Sequence, residues 1–64
     1  MESKWKVLLA DASVEFRGLL RSALEETEEF EVVASVGDGL EAARLVKEKL
    51  PDLVLMDMIL PGLD

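Results

Sequence analysis

The sequence predicts an α/β fold of the form β-α-β-α-β, with three parallel strands in the order 2-1-3 and helices on both faces of the sheet. Three observations carry that expectation. Short runs rich in aliphatic or β-branched residues lie at Trp5–Ala10, Glu31–Val36 and Leu53–Met56. Two stretches with apolar residues at helical spacing separate them. The first and third runs show almost no polar alternation, which suits parallel strands covered on both faces.

The first run, Trp5-Lys6-Val7-Leu8-Leu9-Ala10, is closed by Asp11. From Ser13 to about Glu26 the period changes, with Phe16, Leu19, Leu20, Ala23 and Leu24 on one helical face. Glu15, Arg17, Arg21 and Glu25 take the other side. Glu31 to Val36 is β-branched and bounded by Gly37-Asp38-Gly39, hence a second strand. Asp38 stands three residues before Glu41, an approximate capping box for a second helix. Ala42, Leu45, Val46 and Leu50 give that helix an apolar stripe, Lys47 and Lys49 suit the negative end of its dipole, and Pro51 stops it. The last run, Leu53 to Met56, is bracketed by Pro51 and Pro61. No linker, repeat or low-complexity segment interrupts the pattern, so residues 1–64 read as one domain.

Composition narrows the chemistry. With no cysteine and no histidine among 64 residues, disulfides, thiolate metal sites and the commonest general base are absent. Seven basic against fourteen acidic residues leave a formal charge of −7, the wrong sign for direct nucleic-acid binding. No apolar run approaches the roughly 20 residues a membrane helix needs, and the N-terminus lacks a signal-peptide pattern. A cytoplasmic protein is expected, with no membrane association, and not an enzyme.

Alternation of strands and helices leaves strand order open. Right-handed crossovers with the first strand central put the helices on opposite faces and bury that strand twice. Chain direction then reverses between strands one and three, and ligands of open α/β sheets bind outside the carboxyl ends of strands at such a switch point. Asp11 closes strand one and Asp57 closes strand three, so both carboxylates are expected at that crevice. Taken singly, an Asp just past a strand is as readily a turn former or a cap, and Asp11 could cap the helix near Ser13. Asp57 is the sharper case, because an acid followed by Met58-Ile59-Leu60 is costly unless a cation or a covalent modification rewards it. Most other conspicuous residues have plain readings. Trp5, Phe16, Phe30, Met56 and Met58 read as packing, and the acidic cluster Glu25, Glu26, Glu28, Glu29 and Glu31 as solvated surface.

The segments Val7-Leu8-Leu9-Ala10-Asp11, Gly37-Asp38-Gly39-Leu40-Glu41-Ala42 and Asp57-Met58-Ile59-Leu60-Pro61-Gly62-Leu63-Asp64 resemble the receiver domain of bacterial response regulators, the CheY-like superfamily. The resemblance covers the N-terminal half of such a domain, and Leu-Met-Asp-x-x-Leu-Pro-Gly is its specific part. It implies half of a flavodoxin-like fold and a phosphorylation switch. Asp57 would match the phospho-acceptor, taking a phosphoryl group from a sensor histidine kinase or phosphotransfer protein. Mg²⁺ would be held by Asp11, Asp57 and the backbone carbonyl of Ile59, and Pro61-Gly62 would match the turn that orients this loop. Two departures stand out. Ala12 follows Asp11 where the family carries a second acid, so Mg²⁺ affinity should be weakened and phosphorylation slowed or lost. The chain also stops at Asp64, short of the segments that bring the family's hydroxyl residue and lysine.

Two other readings compete. In a truncated or engineered half-domain without phosphotransfer activity, the outer edge of Leu53–Met56 would be bare and would recruit a second copy into a homodimer. A phosphorylation-independent interaction module is favoured by Ala12 alone. Nucleotide binding is weaker still, since the turn Asp11-Ala12-Ser13-Val14 has no glycine to admit a pyrophosphate.

Overall fold

A computed structural model describes residues 3–57 and 60–62 of the chain. The elements follow the expected order: β1 (Trp5–Ala10), α1 (Val14–Glu26), β2 (Phe30–Val36), α2 (Gly39–Lys49) and β3 (Leu53–Met56). The sheet is parallel throughout, in the order β2-β1-β3. The half flavodoxin-like architecture read from the sequence is therefore the one observed.

β1 is the spine. Val7, Leu8, Leu9 and Ala10 are buried, and successive side chains serve opposite faces. Val7 and Leu9 join Val32 in a cluster onto which Leu20, Leu24 and Phe30 pack. Leu8 and Ala10 join Val36, Ala42 and Leu60 on the opposite face, with Ala34 and Leu45 against them. Thus α1 covers one face and α2 the other.

β2 contains a register shift. Val7 pairs with Val32, but Leu8 pairs with Ala34, so one extra residue lies in β2. A bulge of this kind exchanges the faces of everything after it. Val32 accordingly faces the α1 cluster while Ala34 and Val36 face the α2 cluster. Ser35 is thereby turned toward α1.

The helix ends follow local chemistry. Ser13 is the N-cap of α1, its Oγ accepting from the Phe16 N–H at 3.1 Å. The carboxylate of Asp11 accepts from the Ser13 N–H at 2.9 Å, so Asp11 makes the turn before the cap and is not itself the cap. Asp38 caps α2 by accepting from the Glu41 N–H at 2.9 Å, one half of the anticipated capping box. The carboxylate of Glu41 goes instead to Arg44, which also reaches Glu48.

Three expectations need correction. The apolar face of α1 is narrower than its spacing suggests: Leu19 is exposed, and only Leu20 and Leu24 reach the core. On α2, Leu50 is exposed because it is the C-cap in a left-handed conformation, φ 48°, which swings it off the stripe before Pro51; Val46 is exposed too. Above all, Leu53, Val54, Leu55 and Met56 are 39–46% exposed, not covered on both faces. β3 pairs with β1, but neither helix packs against it. One smaller difference concerns Glu25, placed with the solvated acids: its carboxylate accepts from the Val32 N–H at 3.3 Å and ties α1 to β2.

Candidate functional site

The carboxyl ends of β1 and β3 converge. Ala10 pairs with Met56, and the Asp57 N–H donates to the Ala10 carbonyl at 2.9 Å, so the chain leaves the sheet at Asp11 and Asp57 side by side. Backbones of neighbouring strands lie about 4.8 Å apart. Both aspartates are half-buried and line the mouth of one groove, whose apolar wall comes from Leu9, Ala10, Phe16, Leu20, Val54 and Met56. The sequence-derived pair is therefore brought together at the switch point. The third expected ligand, the carbonyl of Ile59, lies outside the described residues.

Each aspartate is set by its own loop. The Asp11 N–H donates to the Val36 carbonyl at 3.1 Å, fastening the start of the β1–α1 turn to β2. Past Asp57, Leu60 is buried in the α2-side cluster. The carbonyl of Pro61 then accepts from the Gly39 N–H at 2.6 Å, which docks this loop on the first turn of α2. Gly62 completes the turn at φ 87°, and a Cβ there would meet the backbone nitrogens of Gly39 and Leu40 at 3.3 Å. The Gly37-Asp38-Gly39 segment thus has a structural role: its aspartate caps a helix, and its last N–H holds Pro61.

Sequence reasoning missed one participant. Arg17, assigned to the outer side of its helix, is half-buried at the same end of the sheet. Its Nε donates to Ser35 Oγ at 2.8 Å and its Nη1 donates to the Asp11 carbonyl. The available signal was Ser35 itself, a hydroxyl inside an otherwise apolar run and two residues before a glycine.

Comparison with known proteins now decides the family. Residues 7–64 match the model of the response regulator receiver domain. The chain belongs to that family. Among curated receiver relatives, it is 48% identical over 56 residues to the chemotaxis protein CheY of Halobacterium salinarum, covering 88% of this chain and 45% of that protein. It is 37% identical over 60 residues to the probable C4-dicarboxylate response regulator DctR of Priestia megaterium, covering 94% of this chain and 26% of the relative. Over 59 residues it is 42% identical to protein-glutamate methylesterase/protein-glutamine glutaminase 5 of Myxococcus xanthus, covering 92% of this chain and 17% of the relative. This receiver chain thus spans less than half the length of each of these three proteins, and the enzyme names among them belong to proteins several times longer. Among the described residues, no helix is long and apolar enough to cross a membrane.

As a place for a cation, the receiver's crevice has two hard oxygen donors just past the ends of adjacent strands. Ala12 is exposed and adds none, and among the described residues no group of three or more acids is placed to hold a metal ion. Such a set fits Mg²⁺, which keeps most of its waters and is commonly held by one or two carboxylates together with phosphate oxygens.

Proposed function

We propose that residues 1–64 are the first half of a receiver domain whose Asp57 accepts a phosphoryl group in two-component signalling. The observation that carries this reading is the pairing at the carboxyl end of the sheet: Asp57 leaves β3 hydrogen-bonded to β1, beside Asp11, at the switch point. A carboxylate oxygen of Asp57 forms the new P–O bond while the P–N bond of a donor phosphohistidine breaks, and the imidazole nitrogen leaves with that electron pair. The donor on this reading is a sensor histidine kinase or a phosphotransfer protein in the cytoplasm.

Asp11 and Asp57, with the carbonyl of Ile59, are the residues that would hold Mg²⁺. When bound, the ion would offset negative charge on the transferring group. The protein's own share of the work is positioning. The Leu60 anchor and the Pro61–Gly39 hydrogen bond hold the acceptor loop, and the Ser13 N–H holds the Asp11 carboxylate. Because Ala12 supplies no second acid, Mg²⁺ binding should be weak and phosphorylation slow.

The test is intact mass after incubation with Mg²⁺ and a small-molecule phosphodonor. The expected result is a single phosphoryl adduct that disappears in Asp57→Asn. A folded wild-type chain without an adduct would overturn the reading.

A second reading has its own support in β3. Four consecutive apolar residues, Leu53–Met56, stand 39–46% exposed on a strand paired with β1 along one side. A second copy could pair along the other edge, antiparallel about a two-fold axis, and make a homodimer with a six-stranded sheet. That assembly would not require phosphotransfer.

A further inference from the structure

We propose that Arg17 is a positioning residue: from α1 it fixes the turn that carries Asp11, and with it the Asp11 carboxylate, at the mouth shared with Asp57. This inference rests on reading that mouth as the Mg²⁺ and phosphoryl site.

The seat of Arg17 is built from three separate features. The first is the bulge in β2. In an unbroken strand Ser35 would share a face with Val33 and lie opposite Val32; the extra residue before Ala34 turns Ser35 to the α1 face, where it accepts from Arg17 Nε at 2.8 Å. Bulges are found where a side chain must be re-aimed. The second is the Asp11 carbonyl, which accepts from Nη1 of the same guanidinium. The third is Gly37. A Cβ at that position would lie 3.0 Å from Arg17 Nη1 and 3.8 Å from the Asp11 carbonyl, so glycine leaves the space through which the guanidinium passes.

The hydrogen bonds close a ring. Asp11 takes the Ser13 N–H on its carboxylate, the Ser13 carbonyl takes the Arg17 N–H at 3.0 Å, and the Arg17 side chain returns to the Asp11 carbonyl. With its carbonyl and its carboxylate both engaged, Asp11 has little freedom to rotate away from the crevice. A planar fork with fixed donors can serve Ser35 and Asp11 together; a lysine ammonium on a flexible stem would serve one at a time. The contact spans α1, β2 and the β1–α1 turn, so a merely structural role must be separated from positioning by the test.

The experiment compares Arg17→Met, Arg17→Lys and Gly37→Ala with wild type. Three readouts are needed: unfolding in urea, the Ser13 amide resonance, and Mg²⁺ affinity from amide shifts at Asp11 and Asp57. Outer-shell partners of a metal ligand are worth about 10-fold or more in affinity. The expected result is a displaced Ser13 resonance and about 10-fold weaker Mg²⁺ binding in Arg17→Met. Gly37→Ala should change both in the same direction and by less, and Arg17→Lys should recover part of the loss. If Arg17→Met does not fold, Gly37→Ala decides, since it keeps the guanidinium and disturbs only its seat. Folded variants with the wild-type Ser13 resonance and wild-type Mg²⁺ affinity would overturn the proposal. A wild-type chain that binds no Mg²⁺ and takes no phosphoryl group would sink the reading of the crevice instead, and the Ser13 resonance would still decide whether Arg17 holds the turn.

Discussion

β1 and β3 are both apolar runs that end in an aspartate, yet the fold treats them oppositely. Leu8 and Leu9 of β1 are 0% exposed, whereas Leu55 of β3 is 40% exposed. β1 has a strand on each side and a helix over each face; β3 has β1 on one side and neither helix over it. Burial is a property of neighbours, and a strand's composition states only what it would tolerate. The two strands nevertheless do one thing alike, since each delivers its carboxylate to the same end of the sheet.

That contrast should be widest in core truncations. Leu9→Ala removes a fully buried side chain and should cost about 2–5 kcal/mol. In a 64-residue chain that is most or all of the folding free energy, so urea titration should find the variant largely unfolded. Leu55→Ala should cost clearly less, and equal losses at the two positions would remove the distinction drawn here. The next effect concerns the unfilled side of β3. If a second copy covers it, Leu55→Lys should convert a dimer to a monomer in analytical ultracentrifugation, with the midpoint in urea losing its dependence on protein concentration. A wild-type chain that is monomeric and cooperatively folded at micromolar concentration would end the dimer reading.

Smaller again is Gly62→Ala. A positive φ and the close approach to the α2 backbone should together cost about 1–3 kcal/mol, seen as a lower melting temperature. Smallest is Arg44→Ala on the solvent face of α2, where both carboxylate partners are about half exposed. Its melting temperature should move least of the set, and what shift there is should shrink in high salt.

Most of the fold was legible in the sequence because period and punctuation agree. Phe16, Leu20 and Leu24 mark a helix that Ser13 opens, and Pro51 and Pro61 bracket a strand. Asp11 and Asp57 were legible as a pair because right-handed crossovers leave few places for them. The bulge was not legible. Val32, Val33 and Ala34 read as three ordinary strand residues, and only the pairing with β1 shows that one of them is extra. Arg17 escaped for the same reason, since its partner Ser35 faces it only after the bulge has exchanged the faces of β2. The lack of helix cover over β3 escaped because an apolar run reports the strand's own chemistry and not which helices reach it.

The most direct test of the account is a residue-resolved Mg²⁺ titration of the wild-type chain by amide NMR. Shifts concentrated at Asp11, Ser13 and Asp57, at the carboxyl end of the sheet, are predicted. Shifts at the opposite end, around Lys6 and Asp52, or none at millimolar Mg²⁺ on a folded sample, would contradict it.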